Sequence, residues 1–152
     1  MWIFEPSPSS QRALAALRIV AGFLFMLAGT MKLFAFPPAA EASGPVELGS
    51  LMGIAGILET FGGLAILLGL LTRPVAFVLA GEMAVAYFKA HFPHSFWPTV
   101  NEGVPAVLYA FVFLYLAFAG AGAWSLDVLI ARHRKQRVSE LPPSSQHFAQ
   151  AR

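Results

Sequence analysis

Seven ionisable residues, Arg18, Lys32, Glu59, Glu82, Lys89, His91 and Glu102, stand inside or at the edges of long apolar runs. A charge in hydrocarbon costs about 2.5 to 3.5 kcal/mol on insertion scales, so such groups are expected to face inward and to pair. Their spacing supports that. Arg18, Gly22, Phe25, Gly29 and Lys32 follow one another at helical steps along one face. Glu59 shares a face with Gly56 and Gly63, with Gly62 beside it, and Glu82 shares one with Ala86 and Lys89. Glu59 and Glu82 fall at a similar depth with Lys32 and Lys89 above them, while His91, His94, Asn101 and Glu102 gather at the outer mouth. Such a network could receive a polar head such as a quinone carbonyl and supply the protons that quinone reduction consumes. A lipid head group or a peptide would suit it too. The same charges also read as packing devices that fix which helix meets which, and Gly22, Gly29, Gly56, Gly62 and Gly63 leave room for close helix approach.

The histidines do not promise a metal. His91 and His94 flank Pro93 in an expected loop, and no further histidine falls in an apolar run, so neither a haem held between helices nor a metal site is expected. With no cysteine, thiolate metal sites, structural disulfides and any dithiol relay are excluded by composition. The aromatic runs around Tyr87 to Trp97 and Tyr109 to Phe118 read as interfacial and lipid-facing residues.

The elements that hold these residues are set by composition. The 152-residue chain is 57% hydrophobic and only 12% charged, against about 25% charged in soluble domains. The expected fold is an all-α membrane protein, a bundle of four transmembrane helices followed by a short cytoplasmic amphipathic helix. Spans are expected over about 14–36, 48–71, 74–92 and 103–121, each near the roughly 20 residues that cross about 30 Å of hydrocarbon. The third is divided by Glu82 and has a re-entrant segment as its alternative. Arg73 and Lys89 can snorkel at its ends, and Thr72-Arg73-Pro74 reads as the turn before it. A signal-peptide reading of the first run fails because the run is long and Lys32 interrupts it ahead of Ala40-Glu41-Ala42.

Arg12, Arg18, Arg73, Arg132, Arg134, Lys135 and Arg137 fall at the two ends or in the second linker, and Pro37 to Gly49 has no basic residue. Both termini are therefore expected to be cytoplasmic. Residues 1–12 are expected to be a disordered cytoplasmic segment, 13–124 the transmembrane domain, 125–137 a basic helix on the anionic leaflet, with Ser125 capping it, and 138–152 a disordered tail. The small net charge of +2 argues against nucleic-acid binding.

Taken in order, these landmarks resemble the DoxX family of small four-helix membrane proteins. The likeness rests on Leu17-Arg18 with Gly22, Phe25, Gly29, Lys32 and Leu33. It continues through Glu59 with Gly62-Gly63, Gly69 with Thr72-Arg73, then Ala84, His91 and Glu102, and closes on Ser125-Leu126-Asp127. It covers roughly Leu14 to Ile130. One departure is that Gly120-Ala121-Gly122 stands where the family has Gly-Pro-Gly. The resemblance implies a bacterial-type inner-membrane location. Some members of the wider group are linked to quinone-dependent thiosulfate oxidation or to membrane oxidoreductase complexes, and related four-helix proteins serve in export or in maturation of other proteins. The implied function is a membrane subunit of a quinone- or sulfur-linked redox complex. The alternative is a non-catalytic scaffold or maturation factor. No independent catalytic motif is present. The expected partners are the lipid bilayer, a soluble or membrane redox protein, and a second copy of the chain. A transporter built from four short spans would have to oligomerise to enclose a pathway.

Overall fold

The computed structural model describes residues 7–38 and 45–139; the disorder expected of 1–6 and of 140–152 lies outside the described residues. All elements among the described residues are helical.

Helix α1 runs Pro8–Phe34. The Ser7 side chain accepts the N–H of Ser10, and Pro8 occupies the first turn, where its missing N–H costs nothing. This cap and proline start the helix ahead of the expected boundary, so residues 8–12 are helical rather than disordered. Its end is marked by Ala35 in the left-handed region at φ 51. Helix α2 spans Leu51–Leu68, opened by Ser50, whose hydroxyl accepts the N–H of Gly53 at 3.0 Å. A π-helical turn, Leu58–Gly62, interrupts α2 at Glu59.

Gly69, at φ 68, terminates α2, and Leu71, at φ 48, leads directly into α3, Thr72–Ala86. Thr72-Arg73-Pro74 is therefore the first turn of a helix and not a linker, because a proline this early forfeits no intrahelical bond. Helix α3 continues into a second π-helical turn, Tyr87–His91. Helix α4, Val104–Ala119, carries Pro105 in its first turn.

Helix α5, Leu126–Ser139, takes in residues 138 and 139 of the expected tail, and opens with the hydroxyl of Ser125 accepting the N–H of Val128 at 3.2 Å. Its apolar residues occupy the first turn and a half and its basic residues the turns that follow, exposed throughout. Polar and apolar side chains thus separate along the axis, not around it, and the helix lacks the amphipathic stripe expected of it.

By length and composition α1 and α2 can each cross a membrane, while α4 is apolar but shorter. Packing is uneven: α1 lies along α2, and α3 lies along α4, each pair in closer contact than the two pairs are with each other. Phe25 of α1 joins the pairs midway, meeting Phe113 and Tyr109 of α4 at ring-centroid distances of 4.7 and 5.2 Å. Within α1/α2 the backbones touch. A Cβ on Gly63 would stand 2.6 Å from Met26 N, and one on Gly22 would stand 2.9 Å from Gly63 O, nearer than carbon can approach.

Polar links between the pairs sit at one end. Arg18, fully buried, donates from Nε to Ala121 O at 2.8 Å, from Nη1 to Ile66 O at 2.7 Å and Leu67 O at 2.5 Å, and from Nη2 to Trp124 O at 2.9 Å. Asp127 accepts the N–H groups of Leu71 and Thr72, and Ala123 N donates to Gln11 O. At the opposite end the hydrogen bonds among the described residues stay within a pair: Val46 N to Lys32 O, Tyr87 Oη to Phe96 O, and His91 Nδ1 with Asn101 O.

Candidate functional site: a cavity between the helix pairs

Where the pairs diverge, away from the Arg18 clasp, a cavity of about 620 Å³ opens among α1, α2, α3 and α4. Its walls are mostly alkyl and aromatic, and Phe25 and Tyr109 close it toward the clasp. Its carboxyl, ammonium and imidazole groups are those of Glu59, Glu82, Lys32, Lys89 and His91.

Lys32 and Glu59 form the one Lys/Arg–carboxylate ion pair among the described residues, bridging α1 and α2. Glu59 is buried, whereas Lys32 is half-buried and reaches the pair along the cavity wall. Glu82 faces them from α3, close enough to interact electrostatically with both. Its two carboxyl oxygens are buried and have no hydrogen-bond partner among the described residues. An unpaired buried acid is costly. On its own helix the residues that line the cavity beside it, Val78, Met83, Val85 and Ala86, offer no side-chain donor. Lys89 and His91 stand at the mouth, Lys89 exposed and His91 held by its bond to Asn101 O.

The two π-helical turns contain Glu59 in α2 and Lys89 and His91 in α3. A π turn widens the helix by one residue and is often found where function demands a particular side-chain direction. The glycines lie on the α1/α2 contact and beside it. Gly29 abuts Thr60 and Gly56 O, Gly56 meets Leu33 and Lys32, and Gly62 meets Leu79 of α3.

Arg18 is not part of the cavity. It lies about 21 Å from Lys32 along α1 at 1.5 Å per residue, and its donors are consumed by carbonyl oxygens at the clasp. Glu102 is also absent from the lining. It is exposed at φ 60 in the loop before α4, whose turn is held instead by Asn101, through Gly103 N to Asn101 Oδ1 at 2.8 Å. His94 is exposed as well. Among the described residues no group of three His, Asp or Glu side chains is arranged to hold a metal ion.

Two contributors escaped the sequence reading. Tyr109 lines the cavity with its phenol, and Phe113 behind it is fully buried. Both came from a run expected to face lipid, of which Phe111, Tyr115 and Phe118 are the exposed members. The 3.5-residue recurrence of Ala106, Tyr109 and Phe113 is the signal that separates the inner face from the outer one.

A chain whose described elements are all helical, that buries Arg18 and Glu59 and presents Phe77, Phe111, Phe118 and Val85 outward, is built as a membrane protein. The chain belongs to the DoxX family, whose model matches residues 13–92. It is 42% identical over 117 residues to an uncharacterized protein of Haemophilus influenzae, an alignment covering 75% of this chain and 87% of that one. It is 32% identical over 126 residues to the inner membrane protein YqjF of Escherichia coli K12, covering 74% of this chain and 88% of that one. No solved structure matches the chain.

Proposed function

We propose that the chain is a multi-pass inner-membrane protein whose four long helices cross the bilayer, with both ends cytoplasmic, and whose cavity receives the head of a lipid-soluble quinone. In this reading it is the membrane subunit of a redox complex, and a partner protein delivers the electrons. The name of the Escherichia coli relative supports the inner membrane. The positions of Arg12, Arg73 and Arg132 at one end of the bundle support the orientation.

One observation carries the ligand: the Glu82 carboxyl, buried and unpaired, faces the Lys32–Glu59 pair across an otherwise apolar space. Apolar walls with a few convergent polar groups are what a ring with two carbonyl oxygens requires. Lys32 can donate to a carbonyl oxygen, while Glu59 and Glu82 can hold and pass protons. A bound quinone accepts two electrons and two protons on becoming quinol. His91 and Lys89, at the mouth, are placed to exchange protons with water.

Purification with native partners, followed by quinone reduction assays using thiosulfate or related sulfur donors, tests the site. Rates should collapse in Glu59→Gln and Lys32→Met; wild-type rates in both would remove it. The absence of cysteine makes topology directly measurable. Single cysteines at Ser50 and Ser95 should react with an impermeant maleimide from outside intact cells, and one at His133 only after lysis.

A second reading, a scaffold or maturation factor for another membrane protein, is favoured by Gly81. A Cβ there would find nothing within 4 Å, and the outer groove between α3 and α4, walled by Phe77, Ala84, Phe111 and Leu114, leaves space for a further helix. Crosslinking from that groove in native membranes should capture a stoichiometric protein partner if this reading holds.

A further inference from the structure

A second cavity, of about 770 Å³, lies at the clasp end, where the start of α1, the end of α2 and the start of α5 converge. Its cations come from separate elements, Arg12 from α1 and Arg132 from α5, with the Gln11 amide beside them. Neither arginine has a carboxylate or other hydrogen-bond partner among the described residues. This contrasts with Arg18, which lies about 9 Å deeper along α1 and spends its donors on backbone carbonyls. The remaining wall is apolar, with Leu68, Leu129 and Trp124 presenting alkyl and indole surface; Trp124 is 67% exposed.

We infer that this cavity binds the head group of an anionic phospholipid. Guanidinium groups match phosphate oxygens in number and geometry and hold them by charge-assisted hydrogen bonds. Basic pockets between helices on the cytoplasmic side suit such head groups. A free phosphate would engage the two arginines but leave the apolar wall unused. A diacyl lipid uses both, its phosphate between Arg12 and Arg132 and its glycerol and first methylenes against Leu68, Leu129 and Trp124. The assignment rests on the clasp end of α1 meeting the cytoplasmic leaflet, and it is independent of any ligand in the central cavity. Its consequence is local: the lipid ties the first turns of α1 to α5, adding a non-protein bridge to the clasp.

The purified full chain in neutral detergent, followed by native mass spectrometry during titration with phosphatidylglycerol, tests it. Phosphatidylcholine and inorganic phosphate serve as separate arms. The double variant R12Q/R132Q should bind phosphatidylglycerol about tenfold more weakly or worse, the scale of losing charge-assisted hydrogen bonds. The variant R134Q/R137Q, which removes equal charge from the part of α5 that does not line the cavity, should lose less than about twofold, as expected of screened surface charge. Phosphatidylcholine should not be retained, and millimolar phosphate should not displace the bound lipid. Equal losses in the two double variants would reduce the effect to diffuse attraction and overturn the site; displacement by phosphate alone would make it a simple anion site and overturn the lipid assignment. Thermal melts of both variants guard against unfolding. Because Lys32, Glu59 and Glu82 are untouched, quinone reduction rates report separately on the central cavity, and either reading can fail without the other.

Discussion

Asp127 holds Thr72: its carboxylate accepts the N–H of Thr72 at 2.9 Å and, through its other oxygen, that of Leu71 at 2.8 Å. An acid in the first turn of α5 therefore caps the start of α3. The return bond runs from Asp127 N to Gly69 O at 2.9 Å, so the turn between α2 and α3 is gripped on both sides. Ser125 fits beneath, its Cβ so near Gly69 that a side chain on that glycine would collide with it.

Asp127→Ala removes both acceptors and leaves the start of α3 uncapped. A loss of about 1 to 2 kcal/mol is expected, the usual worth of such a cap. Thermal melts in detergent should show it, with Asp127→Asn intermediate because it retains one oxygen acceptor.

Arg18→Lys should fail to substitute. The planar guanidinium reaches carbonyls on two sides, Ile66 and Leu67 on one and Ala121 and Trp124 on the other, whereas an ammonium donates from a single point. At least two carbonyls would be left unpaired at about 1 to 3 kcal/mol each. Protease resistance of the Gly120 to Trp124 segment is the sensitive readout, and it should fall.

Two glycine substitutions should differ in sign. Gly63→Val forces α1 and α2 apart at Met26 and should cost about 1 to 3 kcal/mol or more. Gly81→Ala meets open space and should raise stability by about 0.5 to 1 kcal/mol, the helix preference of alanine over glycine. Equal melting temperatures for the two variants would contradict the packing described.

Glu82→Leu should leave the melting temperature unchanged or higher, because both oxygens it removes are buried without a partner. The same change should abolish ligand binding in the central cavity. A packing role for Glu82 requires the reverse, so a stability loss with binding intact would show that the acid is structural.

Lys32→Met and Glu59→Gln should be non-additive. Each alone strands its partner in a buried setting, at about 3 to 5 kcal/mol for a fully buried pair and less here because Lys32 is half-buried. The double variant should cost less than the sum, and a double-mutant cycle measures the difference.

Much of this arrangement can be read from residue spacing, and the failures have physical causes. Arg18, Gly22, Phe25 and Gly29 occupy one buried face of α1 because 3.6-residue periodicity survives any tertiary context. The destination of Arg18 is a different matter. Its carbonyl partners are exposed only because Gly69 and Gly120, both at positive φ, end α2 and α4 where they do, and no spacing rule on α1 announces that. Glu102 is diverted from the cavity by the turn that Asn101 closes. The early start of α1 was written in Ser7-Pro8, but the polarity of the neighbouring serines obscured it. Tyr109 carries no charge to flag it, and only the opposite face of α4 reveals that it points inward.

The uneven distribution of hydrogen bonds along the bundle bears on how a ligand gets in. At the clasp, separating the helix pairs means breaking bonds to Arg18 and Asp127. At the cavity end, the described hydrogen bonds stay within a pair, so parting α1/α2 from α3/α4 there gives up side-chain packing, for which acyl chains can substitute in part, and no described hydrogen bond. If the four helices cross the bilayer as proposed, this less strongly bonded seam faces sideways into the membrane. A molecule already dissolved in the bilayer would then reach Glu82 without first crossing into water, and its local concentration in lipid, rather than in the aqueous phase, would set how often the cavity is visited.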